Sequence, residues 1–123
     1  MRLRNFRWAT GVLAVTAALA ATLVAMATLV LAQGKITVTG VVTDSMCPTG
    51  DHSHMQMGPT DGECTIACVM EHGAEFVVYD GKDVYTLSDQ KTPEQFAGKR
   101  VTVVGTLDAK AKKIQVESIT AAK

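Results

Sequence analysis

The segment KITVTGVVTD, residues 35–44, decides the fold, because its pattern and its single glycine recur near the far end of the chain. In its first half Ile36 and Val38 alternate with Thr37 and Thr39, the two-residue period of a strand. Gly40 stands inside that run and predicts a bulge or a sharp coil of the strand. VTVVGTLDA, residues 101–109, follows the same apolar–glycine–apolar plan. Two glycine-centred strands are expected as neighbours where a small barrel must coil strongly to close.

The rest of the chain fits around that pair. EFVVYDGKDVYTLSD, residues 75–89, reads as a hairpin turning at Asp80-Gly81, a strong tight-turn pair. TPEQFAG, residues 92–98, reads as a short helix with Thr92 as N-cap, Pro93 at the first helical position and Gly98 as stop. Residues 99–119 form a second hairpin with DAKAKK as its turn. The order is strand, long loop, strand, strand, short helix, strand, strand. That is the order of an OB-like five-stranded Greek-key barrel with a helix between strands 3 and 4. A five-stranded meander covered by the helix is the alternative. The expected core comprises Ile36, Val38, Val41, Phe76, Val78, Val84, Tyr85, Leu87, Phe96, Val101, Val103, Leu107, Ile114, Val116 and Ile119.

Arg2, Arg4 and Arg7 precede an uncharged apolar run from Trp8 to Ala32 that ends in Val30-Leu31-Ala32. A basic start, an apolar stretch and a small residue at the exit read as a Sec-type secretory signal over residues 1–32. The run is also long enough to span ~30 Å of hydrocarbon, so an uncleaved membrane anchor competes with cleavage after Ala32. Either reading puts the domain, residues 33–123, in the periplasm or outside the cell, with membrane contact only through the N-terminal segment. Without the three leader arginines, nine basic residues remain against twelve acidic ones. Nucleic acid needs a cationic surface, so it is not the expected partner.

All three cysteines, all three histidines and four of the six methionines fall between Ser45 and Gly73. CPTGDHSHMQMGPTDG, residues 47–62, is rich in Pro and Gly, has no hydrophobic period, and reads as a loop. GECTIACVMEHGA, residues 62–74, then reads as a short helix, capped by Thr60 or Asp61 and stopped by Gly73. Cys64, Cys68 and His72 recur every fourth residue, on one broad helix face.

A disulfide from Cys47 to Cys64 or Cys68 would close a loop of about twenty residues and contribute on the order of 3 kcal/mol. Such a bridge is common in small exported domains and leaves one thiol over. Thiolate, imidazole and thioether donors together suit soft or borderline ions such as Cu(I) and Zn(II). His52, His54, Met55 and Met57 lie within six residues and lean to copper, Cu(I) or Cu(II). Cys47, Cys64 and Cys68 with His72 or His54 would instead make a Cys3His zinc site. Met70 is expected in the core beside Val69; Asp44 either hydrogen-bonds a ligand histidine or, the preferred reading, caps the turn after the first strand.

Catalysis has less support. There is no Cys-x-x-Cys-His haem attachment sequence and no Cys-x-x-Cys redox pair. Cys68 and His72 sit one helical turn apart, but no orienting partner or oxyanion donor accompanies them.

VTGVVTDSMC, a histidine-bearing loop, CTIACV, VYTL and FAGKRVTVVGTL together resemble a family of small exported bacterial domains of OB-like fold, mostly uncharacterised. The shared pattern, D-S-M-C followed by C-x3-C-V, covers Asp44, Cys47, Cys64 and Cys68. It implies the fold and the export, and no reaction. A looser likeness is to periplasmic copper chaperones built on a β-barrel with His and Met ligands. This chain departs from them in carrying its only tryptophan, Trp8, in the leader and its ligands in an insert. The expectation is therefore an exported barrel that binds a soft metal ion, copper before zinc, through its loop. The alternative is a metal-free, disulfide-stapled interaction domain of the cell envelope.

Overall fold

The computed structural model describes residues 34–123, so the leader expected over residues 1–32 lies outside the described residues. Alternation along the opening segment builds β1 (Lys35–Asp44), in which Val38, Gly40, Val42 and Asp44 are buried in step. The other strands are β2 (Phe76–Tyr79), β3 (Val84–Leu87), β4 (Arg100–Asp108) and β5 (Lys113–Ala121). They close into a mainly β, five-stranded OB-like barrel in the order β1-β2-β3-β5-β4. Neighbours are antiparallel except β3 and β5, which pair in parallel at Thr86↔Lys113 and Leu87↔Ile114.

The two glycine-centred strands are neighbours, as their likeness predicts, with Gly40 opposite Val101 and Ile36 opposite Gly105. Neither glycine tolerates a side chain. A Cβ on Gly40 would lie 2.3 Å from the Tyr79 carbonyl oxygen, and one on Gly105 would lie 2.1 Å from that of Gln115. The bulge that Gly40 could have marked is not formed there, because the β1–β4 register runs without a break from Lys35 to Val41. The bulge falls instead in the β4–β5 ladder, between Val104 and Gly105.

The buried core is Val38, Val42, Phe76, Val78, Tyr85, Leu87, Ala97, Val101, Val103 and Ile114. Ile36, Phe96, Leu107, Val116 and Ile119 pack around it as partly buried residues. Val42, not the expected Val41, joins Val38 in the core, because the inward parity continues through Gly40 without a shift, and the expected Val84 is likewise only half-buried and outside it.

Two helical pieces cover the barrel. Between strands 3 and 4 the expected helix is a 3-10 turn over Thr92–Phe96, with Lys91 rather than Thr92 at the N-cap position. After it, Gly98 takes φ +74° and its N–H donates to the Val42 carbonyl. In the insert, α1 (Asp61–His72) starts at the N-cap Thr60, whose hydroxyl oxygen accepts from the Glu63 N–H. It stops at Gly73, which is left-handed and donates to the Cys68 carbonyl. Ile66 and Val69 of this helix pack on the core, whereas Met70 is 69% exposed and is not the core residue expected. Gly62 meets the strap after the 3-10 turn so closely that a Cβ there would lie 2.6 Å from the Ala97 carbonyl oxygen.

Two aspartates stabilise the connections. Asp80 Oδ1 accepts from the N–H groups of Lys82 and Asp83, and Asp89 Oδ1 accepts from those of Lys91 and Thr92. Asp80 titrates below the usual carboxylate range mainly through the Asp83 and Lys82 N–H groups; Asp89 does so through its bonds to Thr92 and Lys91. A depressed carboxylate pKa stabilises the fold above the unfolded value of ~3.9, and that contribution is lost as pH falls through the folded value. Urea midpoints of metal-free protein are therefore expected to fall as pH drops below about 4. The fall should be shallower in the double variant Asp80→Asn/Asp89→Asn.

Candidate metal centre

The end of β1 and the turn after it shape the centre. Asp44 continues the inward parity of Val38 and Val42, so its carboxylate is fully buried at the end of the strand. A carboxylate there needs partners, because a buried polar group without hydrogen bonds is costly. Asp44 Oδ1 accepts from the N–H groups of Met46 at 2.9 Å and Cys47 at 3.0 Å, folding the chain back on itself. The buried Thr43 hydroxyl donates to the Cys47 carbonyl at 2.8 Å and fixes the same turn. Cys47 is thereby held beside the carboxylate that folded its turn.

His52 enters from the loop. Its Nε2 lies 3.0 Å from Asp44 Oδ2, and its Nδ1 lies 3.2 Å from Asp61 Oδ1 in the first turn of α1. The Thr65 hydroxyl, on the buried face of the same helix, is 3.4 Å from His52 Nε2. Asp44, Cys47 and His52 are all buried, and each offers a donor atom within 4.8 Å of the other two. A tetrahedral zinc centre with bonds of about 2.0–2.3 Å separates its donors by roughly 3.3–3.8 Å. The group is thus within about an ångström of coordination geometry.

The electrostatics suit a cation. Burial alone would lower the His52 pKa, but hydrogen bonds to Asp44 and Asp61, and their charges, outweigh it and raise the pKa. A buried imidazole that gains basicity reports a negative local potential. Burial, followed by the charge of Asp44, raises the Cys47 thiol pKa. The same two causes push Cys68 up to about 11. A metal ion replaces such protons when it binds, so its affinity rises with pH. A cleft of about 480 Å³, lined by Asp51, His52, Ser53, Gln56, Asp61 and Cys64 among others, reaches the group at His52 alone.

The structure divides the expected ligands. Cys47 and His52 converge; His54 and His72 are exposed, Met57 is 38% exposed, and Met55 is half-buried. The His-Ser-His-Met-Gln-Met block does not run extended, as same-side pairing of His52 with His54 required. The Met55 N–H bonds the His52 carbonyl and the Met57 N–H bonds the Met55 carbonyl, so tight turns send His52 inward while His54 stays exposed.

Cys64, Thr65 and Cys68 form the buried face of α1. The expected disulfide from Cys47 to Cys64 or Cys68 is not formed; all three cysteines are free and buried. Cys64 is held separately, its thiol donating to the Met55 carbonyl at 2.7 Å and its sulfur accepting from the Met57 N–H at 3.1 Å. These bonds pin the loop to the helix in the way the disulfide was expected to.

Sequence reasoning prefers Asp44 as a turn cap over a partner for a ligand histidine; it is both, and the role not foreseen is that of a metal donor itself. The parity of Val38 and Val42 is the available signal, since it turns the side chain two residues further on to the inside. No known protein family, no curated protein and no solved structure matches this chain.

Proposed function

We propose that this protein is an exported β-barrel domain that binds one soft or borderline metal ion at Asp44, Cys47 and His52. The observation that carries the reading is the convergence of a buried carboxylate, thiol and imidazole within 4.8 Å. The carboxylate moves the preferred ion from copper to Zn(II), because an oxygen donor suits zinc better than Cu(I). Exposure of Met57 removes one thioether that favoured copper. Once bound, the ion supplies a fixed positive charge that balances thiolate and carboxylate and ties the loop to the end of β1. Export to the periplasm or beyond is supported by the three arginines and the apolar run before the domain. The resemblance to exported bacterial domains supports it too, since the shared pattern includes Asp44 and Cys47.

Full-length protein, kept reduced and stripped of metal, is titrated with Zn(II) and separately with Cu(I) against competing chelators. One ion per chain is expected, with Zn(II) the better competitor. Cys47→Ser and His52→Gln should each weaken Zn(II) by more than about 100-fold, beyond the loss of an outer hydrogen-bond partner. A His54→Ala/Met57→Ala double variant should match wild type. Equal affinity in wild type, Cys47→Ser and His52→Gln would remove the site. Tighter Cu(I) binding that depends on His54 and Met57 would return the ligands to the exposed loop.

Asp61 has a supporting part in this reading. With Nε2 turned to the group, the His52 Nδ1–H donates to Asp61 Oδ1, fixing the ring and its tautomer. Asp61→Asn is expected to weaken Zn(II) by about 10–100-fold while leaving the stoichiometry at one. Unchanged affinity would reduce Asp61 to the helix N-terminal acid that its position also makes it.

A further inference from the structure

Asp44, Cys47 and His52 provide three donors, whereas a zinc site that only holds its ion has four protein ligands and an open, reactive site has three. Which kind this is depends on what stands over the group, and α1 stands there. The Thr65 hydroxyl, 3.4 Å from His52 Nε2, fixes the buried face of the helix against the cluster. Cys64 and Cys68 flank Thr65 on that face and are 1% and 0% exposed.

The two thiols are not equivalent. Cys64 already donates to the Met55 carbonyl and accepts from the Met57 N–H. Drawing it to an ion would break the two bonds that pin the loop. Cys68 lies one turn further along the helix, and Asp44, Cys64 and Cys47 are the charged and polar groups that act on its thiol. It shares the buried face of the helix with Thr65, three residues back, whose hydroxyl reaches His52. Cys68 lies outside the set of atoms within 4.8 Å of one another. A jump between staggered χ1 wells moves a cysteine sulfur by roughly 3 Å, so the thiol can change position without moving the helix.

We propose that Cys68 is the fourth ligand, closing the coordination sphere as Asp44, Cys47, His52 and Cys68. The inference rests on the metal-binding reading above and decides its character. Two thiolates, an imidazole and a carboxylate fill a tetrahedral ion and leave no position for water or substrate. Coordination releases the Cys68 thiol proton to solvent and changes no oxidation state. The ion then joins β1, the loop and α1, so binding stabilises the helix on the barrel instead of activating a reactant. The two thiolates also favour Zn(II) over Mg(II) and Ca(II), which take oxygen donors.

Co(II) is the probe, because it takes zinc's place and its thiolate-to-metal charge-transfer absorption grows with each bound sulfur. Full-length reduced protein loaded with one Co(II) is expected to show tetrahedral ligand-field bands and a charge-transfer intensity of two thiolates. Cys68→Ser should halve that intensity and weaken Zn(II) by at least about 100-fold. Cys64→Ser should keep the two-thiolate intensity per bound ion. Added azide should leave the wild-type spectrum unchanged and should shift that of Cys68→Ala, whose fourth position is open.

If a serine variant does not fold, the wild-type intensity and azide response still count the sulfurs and the open positions. Wild-type intensity of one thiolate, or a spectrum shifted by azide, overturns the closed site while leaving the three-ligand reading standing. Intensity lost in Cys64→Ser and kept in Cys68→Ser assigns the fourth position to the other thiol and overturns the proposal. No Co(II) or Zn(II) binding by wild type overturns both.

Discussion

Asp44→Ala is expected to abolish Zn(II) binding and to lower the stability of the metal-free protein by about 3–5 kcal/mol, the loss seen when one partner of a buried charged pair is removed. The magnitude follows from the number of groups stranded. The carboxylate satisfies the Met46 and Cys47 N–H groups through one oxygen and His52 Nε2 through the other; the Cys47 and His52 bonds are buried and the Met46 bond is partly so. Removing it leaves the buried Cys47 amide and His52 ring nitrogen without their acceptor, each at a cost of about 1–3 kcal/mol, and frees the partly exposed Met46 amide to water. Asp44→Asn separates structure from binding. Its amide oxygen accepts from the same two N–H groups and its NH2 donates to a neutral His52, so stability is retained to within about 1–2 kcal/mol. Metal affinity is still lost. Urea denaturation in the presence of a chelator, paired with Zn(II) titration, reads both quantities. If Asp44→Ala unfolds at the wild-type urea concentration, the carboxylate does not organise the turn.

The second large effect is in the barrel wall. Gly105→Ala would place a methyl group 2.1 Å from the Gln115 carbonyl oxygen and 2.8 Å from Ile114 Cγ2. Gly40→Ala would place one 2.3 Å from the Tyr79 carbonyl oxygen. Carbonyl oxygens in a ladder cannot yield without breaking it, so each substitution is expected to cost at least about 3 kcal/mol, the top of the usual range for overpacking. A domain of this size has about 5–15 kcal/mol in total, so the double variant should be largely unfolded at room temperature. Circular dichroism melts would show this as loss of the cooperative transition. Gly34→Ala is the control, since nothing lies within 4 Å of a Cβ there. A Gly105→Ala variant melting with wild type would mean that β4 and β5 are further apart than the structure has them.

The same glycines make the fold legible. Period-two alternation, an Asp-Gly turn at residues 80–81 and two matching glycine strands are local signals, and each survives in the folded chain because the barrel uses it directly. The centre is legible only by composition. Clustering of Cys and His marks the right segment, and Cys47 and His52 are among the residues it names. Their partner Asp44 is named only as a turn cap or a histidine's partner, because its burial as a donor depends on a parity carried past the end of the apolar run. His54 is over-read because the loop is made of turns, and a spacing rule for extended chain has no force there. The cysteines suggest a covalent link that the structure replaces with separate placements for each sulfur.

Closure of the barrel depends on its weakest seam. The parallel edge between β3 and β5 has two residue pairs, reinforced by the Thr86 N–H to the Lys112 carbonyl, the Ser88 N–H to the Ile114 carbonyl and the Val116 N–H to the Ser88 hydroxyl. No other seam has so few pairs, and a strand held by so few ladder bonds opens at the least cost. The cylinder is therefore expected to unzip there first, peeling β3 from β5 while the β1–β4–β5 wall stays intact, so that in a hydrogen-exchange measurement deuterium enters the amides of Thr86 and Ser88 before those of Val101 or Val103.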